Sequence, residues 1–174
     1  YMVRAFGGTS PRRLVFGFMC ASAFLSMWIS NTSTTLMLLP VALAALEKTD
    51  DMNLSGPLLL GIAYAASIGG IGTPIGTPPN MVFMGVYTEV TGGAVSFGQW
   101  MLWAMPVVLI MLPIAGLWIT RGVSKSGGVV LPEAEAWSTA ERRVLVIFSI
   151  TALLWMTRKG PWGGWSEWLS LPYA

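Results

Sequence analysis

Polar and apolar positions alternate in blocks rather than at a fixed short period. Uncharged, mainly apolar runs extend over 14–46, 54–88 and 96–120, and a shorter one over 144–157. The first, as one straight helix, would be about 50 Å long against about 30 Å of bilayer hydrocarbon. One crossing does not fit. Two crossings do not fit either, because each needs about 20 residues and the middle, Ser30 to Thr35, is polar throughout. A re-entrant helical hairpin over 14–46, with its tip near that polar centre, satisfies both limits.

The run 54–88 is interrupted at its middle by Gly69-Gly70-Ile71-Gly72-Thr73-Pro74-Ile75-Gly76-Thr77-Pro78-Pro79-Asn80. Prolines remove N–H donors and clash with the preceding turn, so this pattern predicts a broken transmembrane helix. Asn80 is placed to start a short helix, Met81 to Thr88. The run 96–120 spans a bilayer comfortably, with Trp100, Trp103 and Trp118 as interfacial anchors. The stretch 121–143 is a polar cytoplasmic connection, and 144–157 begins a further crossing. Non-helical backbone at membrane depth persists only where it is buried in protein or lines a wet cavity. The hairpin tip and the break are therefore the places to look for cargo contacts.

Composition strengthens the membrane reading: 54% of residues are hydrophobic, 10% are charged, and the mean hydropathy is +0.65. Arg12, Arg13, Lys48, Arg121, Lys125, Arg142 and Arg143 fall in loops that alternation places on one side, so that side is cytoplasmic. Arg158 and Lys159 are the exception. Basic residues flank apolar runs instead of forming a patch, which argues against a nucleic-acid partner. The single cysteine, Cys20, excludes a disulfide framework. The lack of histidine, and of carboxylates inside the three long runs, argues against a zinc or acid-base enzyme, and no organic cofactor is implied.

The chemistry rests on neutral oxygens. Ser26 and Ser30, four apart, would share one face of the helix entering the tip, with Asn31 and Thr32 just beyond. Hydroxyls, an amide oxygen and a carbonyl brought close by Gly76 suit a hard cation such as sodium. Half-helix N-termini after Asn31 and after Pro79 offer partial positive charge and N–H donors to an anion. No embedded Lys or Arg is available to neutralise that anion, which favours coupling to a cation.

Phe24 to Thr35, followed by Ser67-Ile68-Gly69-Gly70 and Gly76-Thr77-Pro78-Pro79-Asn80, resembles the divalent anion:sodium symporters of the ion transporter superfamily. The resemblance extends through Ser10 to Leu14 and, more loosely, to Arg143. It implies an all-α inner-membrane carrier of dicarboxylate, citrate or sulfate, coupled to sodium, built from two inverted repeats and working as a homodimer by an elevator-like movement. It assigns sodium contacts to Ser26, Ser30, Asn31 and the Gly76 backbone. Substrate contacts fall on Ser30, Asn31, Thr32, Thr77 and Pro78. A second Ser-Asn-Thr and a second proline-broken helix do not occur here, so the chain reads as a fragment holding most of the first repeat. The competing readings are another carrier of the same superfamily, for metal citrate or arsenite, and a channel or structural membrane subunit.

Overall fold

The computed structural model describes residues 10–47, 49, 53–124, 138–158 and 164–165. Most of the expected connection over 121–143, together with Lys48, Lys125 and Lys159, lies outside them. Among the described residues the chain is all-helical: α1 (Pro11–Ser26), α2 (Asn31–Leu46), α3 (Ser55–Gly70), α4 (Pro78–Thr91), α5 (Phe97–Ile119) with a 3-10 turn (Thr120–Gly122), and α6 (Thr139–Thr157).

Local chemistry accounts for most of the ends. Ser10 caps α1 by accepting from the Arg13 N–H, and Pro11 sits at the first turn, where its missing N–H costs nothing. Ser30 caps α2 in the same way, through the Ser33 N–H. Gly92, at φ +69°, takes the left-handed conformation that closes α4. Ser138 and Glu141 form a reciprocal capping box, so α6 begins at Thr139 with a polar first turn, ahead of the apolar run at Val144.

Helices α1, α2 and α3 share one core. Leu14, Val15, Phe18, Met19 and Ala23 of α1 pack with Leu38, Ala42 and Ala45 of α2 and with Leu58, Ile62 and Ala65 of α3. The start of α1 and the end of α2 thus meet in one cluster, and the chain between them turns through Met27 to Ser30. Each arm has 16 residues, about 24 Å, which is shorter than the bilayer core. The α1 and α3 backbones touch: a Cβ at Gly69 would lie 2.2 Å from the Ala23 carbonyl oxygen. Small residues permit this approach, and the Ser22 hydroxyl donates to the Ile62 carbonyl at 2.8 Å alongside it.

Arg12 fixes the base of the bundle, its guanidinium donating to the Val123 and Arg121 carbonyls beside the end of α5. From there α1 rises about 24 Å. That brings the tip level with the first turns of α5, where Trp28 stacks on Phe97 at 6.4 Å between centroids and meets Phe148 edge-on at 5.0 Å. Among the described residues only the segment Phe97–Gly122 is both long and apolar enough to cross a membrane. Large apolar side chains face outward on every helix from α2 to α6, including Leu36, Val82, Leu102 and Ile147. Such continuous faces require lipid or further protein against them.

Candidate functional site at the helix breaks

Two interruptions of helical backbone meet at one end of the core. The first is the α1–α2 turn, Met27 to Ser30; the second is the α3–α4 break, Ile71 to Thr77. The Thr73 hydroxyl, fully buried, donates to the Met27 carbonyl and joins the two. The Asn80 amide donates at 2.8 Å to the Gly70 carbonyl and at 2.8 Å to the Thr73 carbonyl. The Trp100 indole N–H donates to the Ile71 carbonyl at 2.9 Å. Carbonyls orphaned by the end of α3 are thus satisfied by side chains from α4 and α5, as a buried helix end requires.

Around this frame the neutral oxygens gather. Ser26, fully buried at the end of α1, donates its hydroxyl to Asn31 Oδ1 at 2.6 Å. That oxygen also crowds Gly70, where a Cβ would come within 2.5 Å of it. Gly76 packs into the same space: a Cβ there would lie 2.4 Å from the Gly70 carbonyl oxygen and 2.9 Å from that of Ser26. The structure therefore brings Ser26, Asn31, Gly70 and Gly76 together, and only glycine fits at the latter two without a shift. The donor set is one of hydroxyl, amide and carbonyl oxygens, and no group of three His, Cys, Asp or Glu side chains accompanies it among the described residues. Such a set suits a hard monovalent cation and not a transition metal.

Ser30 stands differently from its expected place. Helix α1 ends at Ser26, and Ser30 has extended backbone at the N-cap of α2, so the two serines do not lie on one helix face. The Ser30 hydroxyl is exposed and engaged with the Ser33 N–H at 3.2 Å and the Ser33 hydroxyl at 2.8 Å. The physical reason is that a serine oxygen at a helix start satisfies an orphan N–H better than it serves inside a helix. Thr32 is exposed in the first turn of α2.

The other helix start also departs from expectation. Helix α4 begins at Pro78 and not at Met81, because Thr77 is the N-cap and the two prolines occupy the first two positions. Prolines have no N–H, and the Asn80 N–H already donates to the Thr77 carbonyl at 3.1 Å. The α4 start thus contributes its dipole and the Thr77 hydroxyl, which makes no capping bond, but little of the expected N–H cradle. The α2 start keeps the Asn31 and Thr32 N–H groups, which have no intrahelical acceptor. Thr77 is half-buried and Pro78 is exposed beside it.

Sequence reasoning missed Thr73, Gly70 and Trp100 as parts of the frame, and took Asn80 for a helix start. The only signal was the density of Thr, Asn and Gly around the prolines. Trp100 reads as an interfacial anchor from sequence, whereas its indole is committed to the break.

A family model described as citrate transporter matches residues 1–165. The chain is 32% identical, over 174 aligned residues, to the sodium-dependent dicarboxylate transporter of Staphylococcus saprophyticus, and 32% identical to that of Staphylococcus aureus. Each alignment takes in 87% of this chain and 34% of the relative. The chain spans about a third of the length of these curated relatives. These findings agree with the resemblance carried by the hairpin and break motifs.

Proposed function

The chain belongs to the citrate transporter family, and on that premise we propose that it forms most of the first repeat of a carrier in the cytoplasmic membrane that moves a small divalent anion together with sodium. A member of a transporter family is a membrane protein and not an enzyme. The observation that carries the finer reading is the pair of buried Ser26 and half-buried Asn31 at 2.6 Å, with Gly70 and Gly76 pressed against it where two helices break. The relatives named above are sodium-dependent dicarboxylate transporters, which supports the same pairing of ion and anion.

In this reading Ser26, Asn31 and the Gly76 backbone, joined by Ser30, hold sodium through neutral oxygens. Ser30, Asn31, Thr32, Thr77 and Pro78 face the anion. No lysine or arginine occurs in the helical breaks, so the field of the α2 and α4 starts and the co-bound cation must offset the dianion's charge. The hairpin α1–α2 enters and leaves on the cytoplasmic side, and α3 with α4 acts as one discontinuous crossing. The complete protein supplies the second repeat and works as a homodimer.

Reconstitution of the full-length carrier into liposomes tests the proposal. Uptake of succinate, citrate or sulfate should saturate with anion concentration and require an inward sodium gradient. Uptake indifferent to replacing sodium by potassium removes the coupling. Unitary conductance without saturation removes the carrier reading in favour of a channel.

A further inference from the structure

Most threonines of these helices beyond the first turn dispose of their hydroxyls in one way. Thr35, Thr88, Thr91, Thr120, Thr151 and Thr157 each donate to the carbonyl four residues earlier, at 2.7 to 3.0 Å. Thr34 does not. It is 0% exposed, and its Oγ1 has no hydrogen-bond partner. A buried hydroxyl left unpaired is destabilising, and one that persists in a functional region calls for a ligand.

Its position says which ligand. Thr34 heads the buried stripe of α2, followed by Leu38, Ala42 and Ala45, which faces α1 and α3. Three residues before it is Asn31, so the two side chains are neighbours on one helical face. Asn31 Oδ1 is already directed at Ser26 and Gly70. Ser30 and Thr32, by contrast, are exposed. A hydroxyl has lone pairs to give a cation, unlike the other buried unpaired group near the tip, the Trp28 indole N–H, which can only donate.

We propose that Thr34 Oγ1 is a further oxygen ligand of the cation held by Ser26 and Asn31, completing that shell from below. The inference rests on the sodium-coupled reading given above. It predicts an unusual combination, since the hydroxyl contributes nothing to the fold without the ion. Replacing it by a methyl of the same shape removes a buried unpaired polar group and a cation ligand together.

Thermal unfolding of the purified full-length carrier, in potassium with sodium titrated and no anion present, reads both effects. In potassium, Thr34→Val should melt at or above the wild-type temperature. Its half-maximal stabilisation should need about tenfold more sodium, the factor that 1.4 kcal/mol makes in a binding constant. Thr34→Ser, which restores the oxygen, should keep a near wild-type sodium response. A Thr34→Val carrier that tracks wild type in sodium overturns the inference alone. So does one that melts lower in potassium, because the hydroxyl would then be a structural group. A wild-type carrier whose melting ignores sodium overturns the sodium-coupled reading and this inference with it.

Discussion

Asn80 reaches back across the helix break to give its amide to the Gly70 carbonyl at 2.8 Å, although ten residues separate them. Its other bond, to the Thr73 carbonyl, is equally short, and the residue is 7% exposed. One side chain thus serves the Gly70 carbonyl, whose regular donor four residues on is Pro74 and has no N–H, together with the Thr73 carbonyl. Asn80→Ala would leave the Gly70 carbonyl unpaired, at about 1–3 kcal/mol, and would leave the Thr73 carbonyl with only the Gly76 N–H at 3.3 Å. We expect a clear loss of melting temperature in the full-length carrier, and Asn80→Asp, which cannot donate when ionised, should not rescue it. A variant that melts with wild type would show that water can stand in for the amide.

Gly76 and Gly70 give a sharper contrast. At Gly76 an added Cβ meets backbone oxygen on two sides, which cannot yield. Gly76→Ala should therefore abolish uptake. At Gly70 the nearest atom belongs to the Asn31 side chain, which can rotate away. Gly70→Ala should keep the fold but raise the sodium concentration needed for half-maximal uptake. Gly85, with nothing within 4 Å of the same position, is the control, and Gly85→Ala should change neither. Equal tolerance at all three positions would contradict the close packing at the break.

Much of this arrangement was legible in the sequence, and the limits of that legibility are physical. Glycine and proline density marked the break in the second run, which acts locally on the backbone, whereas the polar Ser30–Thr35 block only adjoins the turn in the first, which falls at Met27–Ser30 with Asn31–Thr35 already helical. The nearness of Gly76 to Ser26 and Asn31 was implied by the family resemblance and not by position along these segments. What could not be read was how orphan carbonyls are shared among helices. Whether Ser30 faces Ser26 or caps α2 depends on where α1 stops. Whether Asn80 starts a helix or bridges Gly70 and Thr73 depends on how α4 folds back. Trp100 could bond Ile71 only once α5 lay against the break.

Ser26 and Asn31 are expected to act on the cation as a pair. Ser26→Ala and Asn31→Ala each remove one oxygen from the buried group, so each should raise the sodium requirement for uptake. The double variant should fall short of the sum of the two effects, since the residues bond one another at 2.6 Å. Thr35, whose hydroxyl is already committed to the Asn31 and Thr32 carbonyls, should matter less when changed to Val. Unchanged sodium dependence in both single variants at normal protein levels would take the cation away from the tip.

The proposed re-entrant hairpin can be tested by its sidedness. Two arms of about 24 Å each cannot both cross about 30 Å of hydrocarbon. Arg12 moreover ties the base of α1 to the end of α5 at Arg121 and Val123. With Cys20 replaced, single cysteines at positions 10 and 49 should both resist an impermeant thiol reagent added outside intact cells and both react after permeabilisation. Reaction of just one from outside would mean that the segment crosses.

Linkage between anion and sodium should be uneven across the two helix starts. The α2 start offers the Asn31 and Thr32 N–H groups, whereas the prolines at the α4 start offer none, leaving the Thr77 hydroxyl as that side's main hydrogen-bond donor. Thr77→Val should therefore weaken the anion more than Thr32→Val, whose loss the neighbouring N–H groups partly cover. Neither hydroxyl belongs to the Ser26–Asn31 pair, so sodium affinity measured without anion should stay near wild type in both. If sodium offsets the dianion's charge, each ligand must raise the other's affinity by the same factor, typically 5- to 150-fold for a coupling of roughly 1–3 kcal/mol. Calorimetry on the complete carrier, titrating succinate in sodium and in potassium, measures both quantities. The coupling argument fails if succinate binds equally in the two salts. The asymmetry fails if Thr32→Val costs as much as Thr77→Val, since the donors of α2 would then not be compensating.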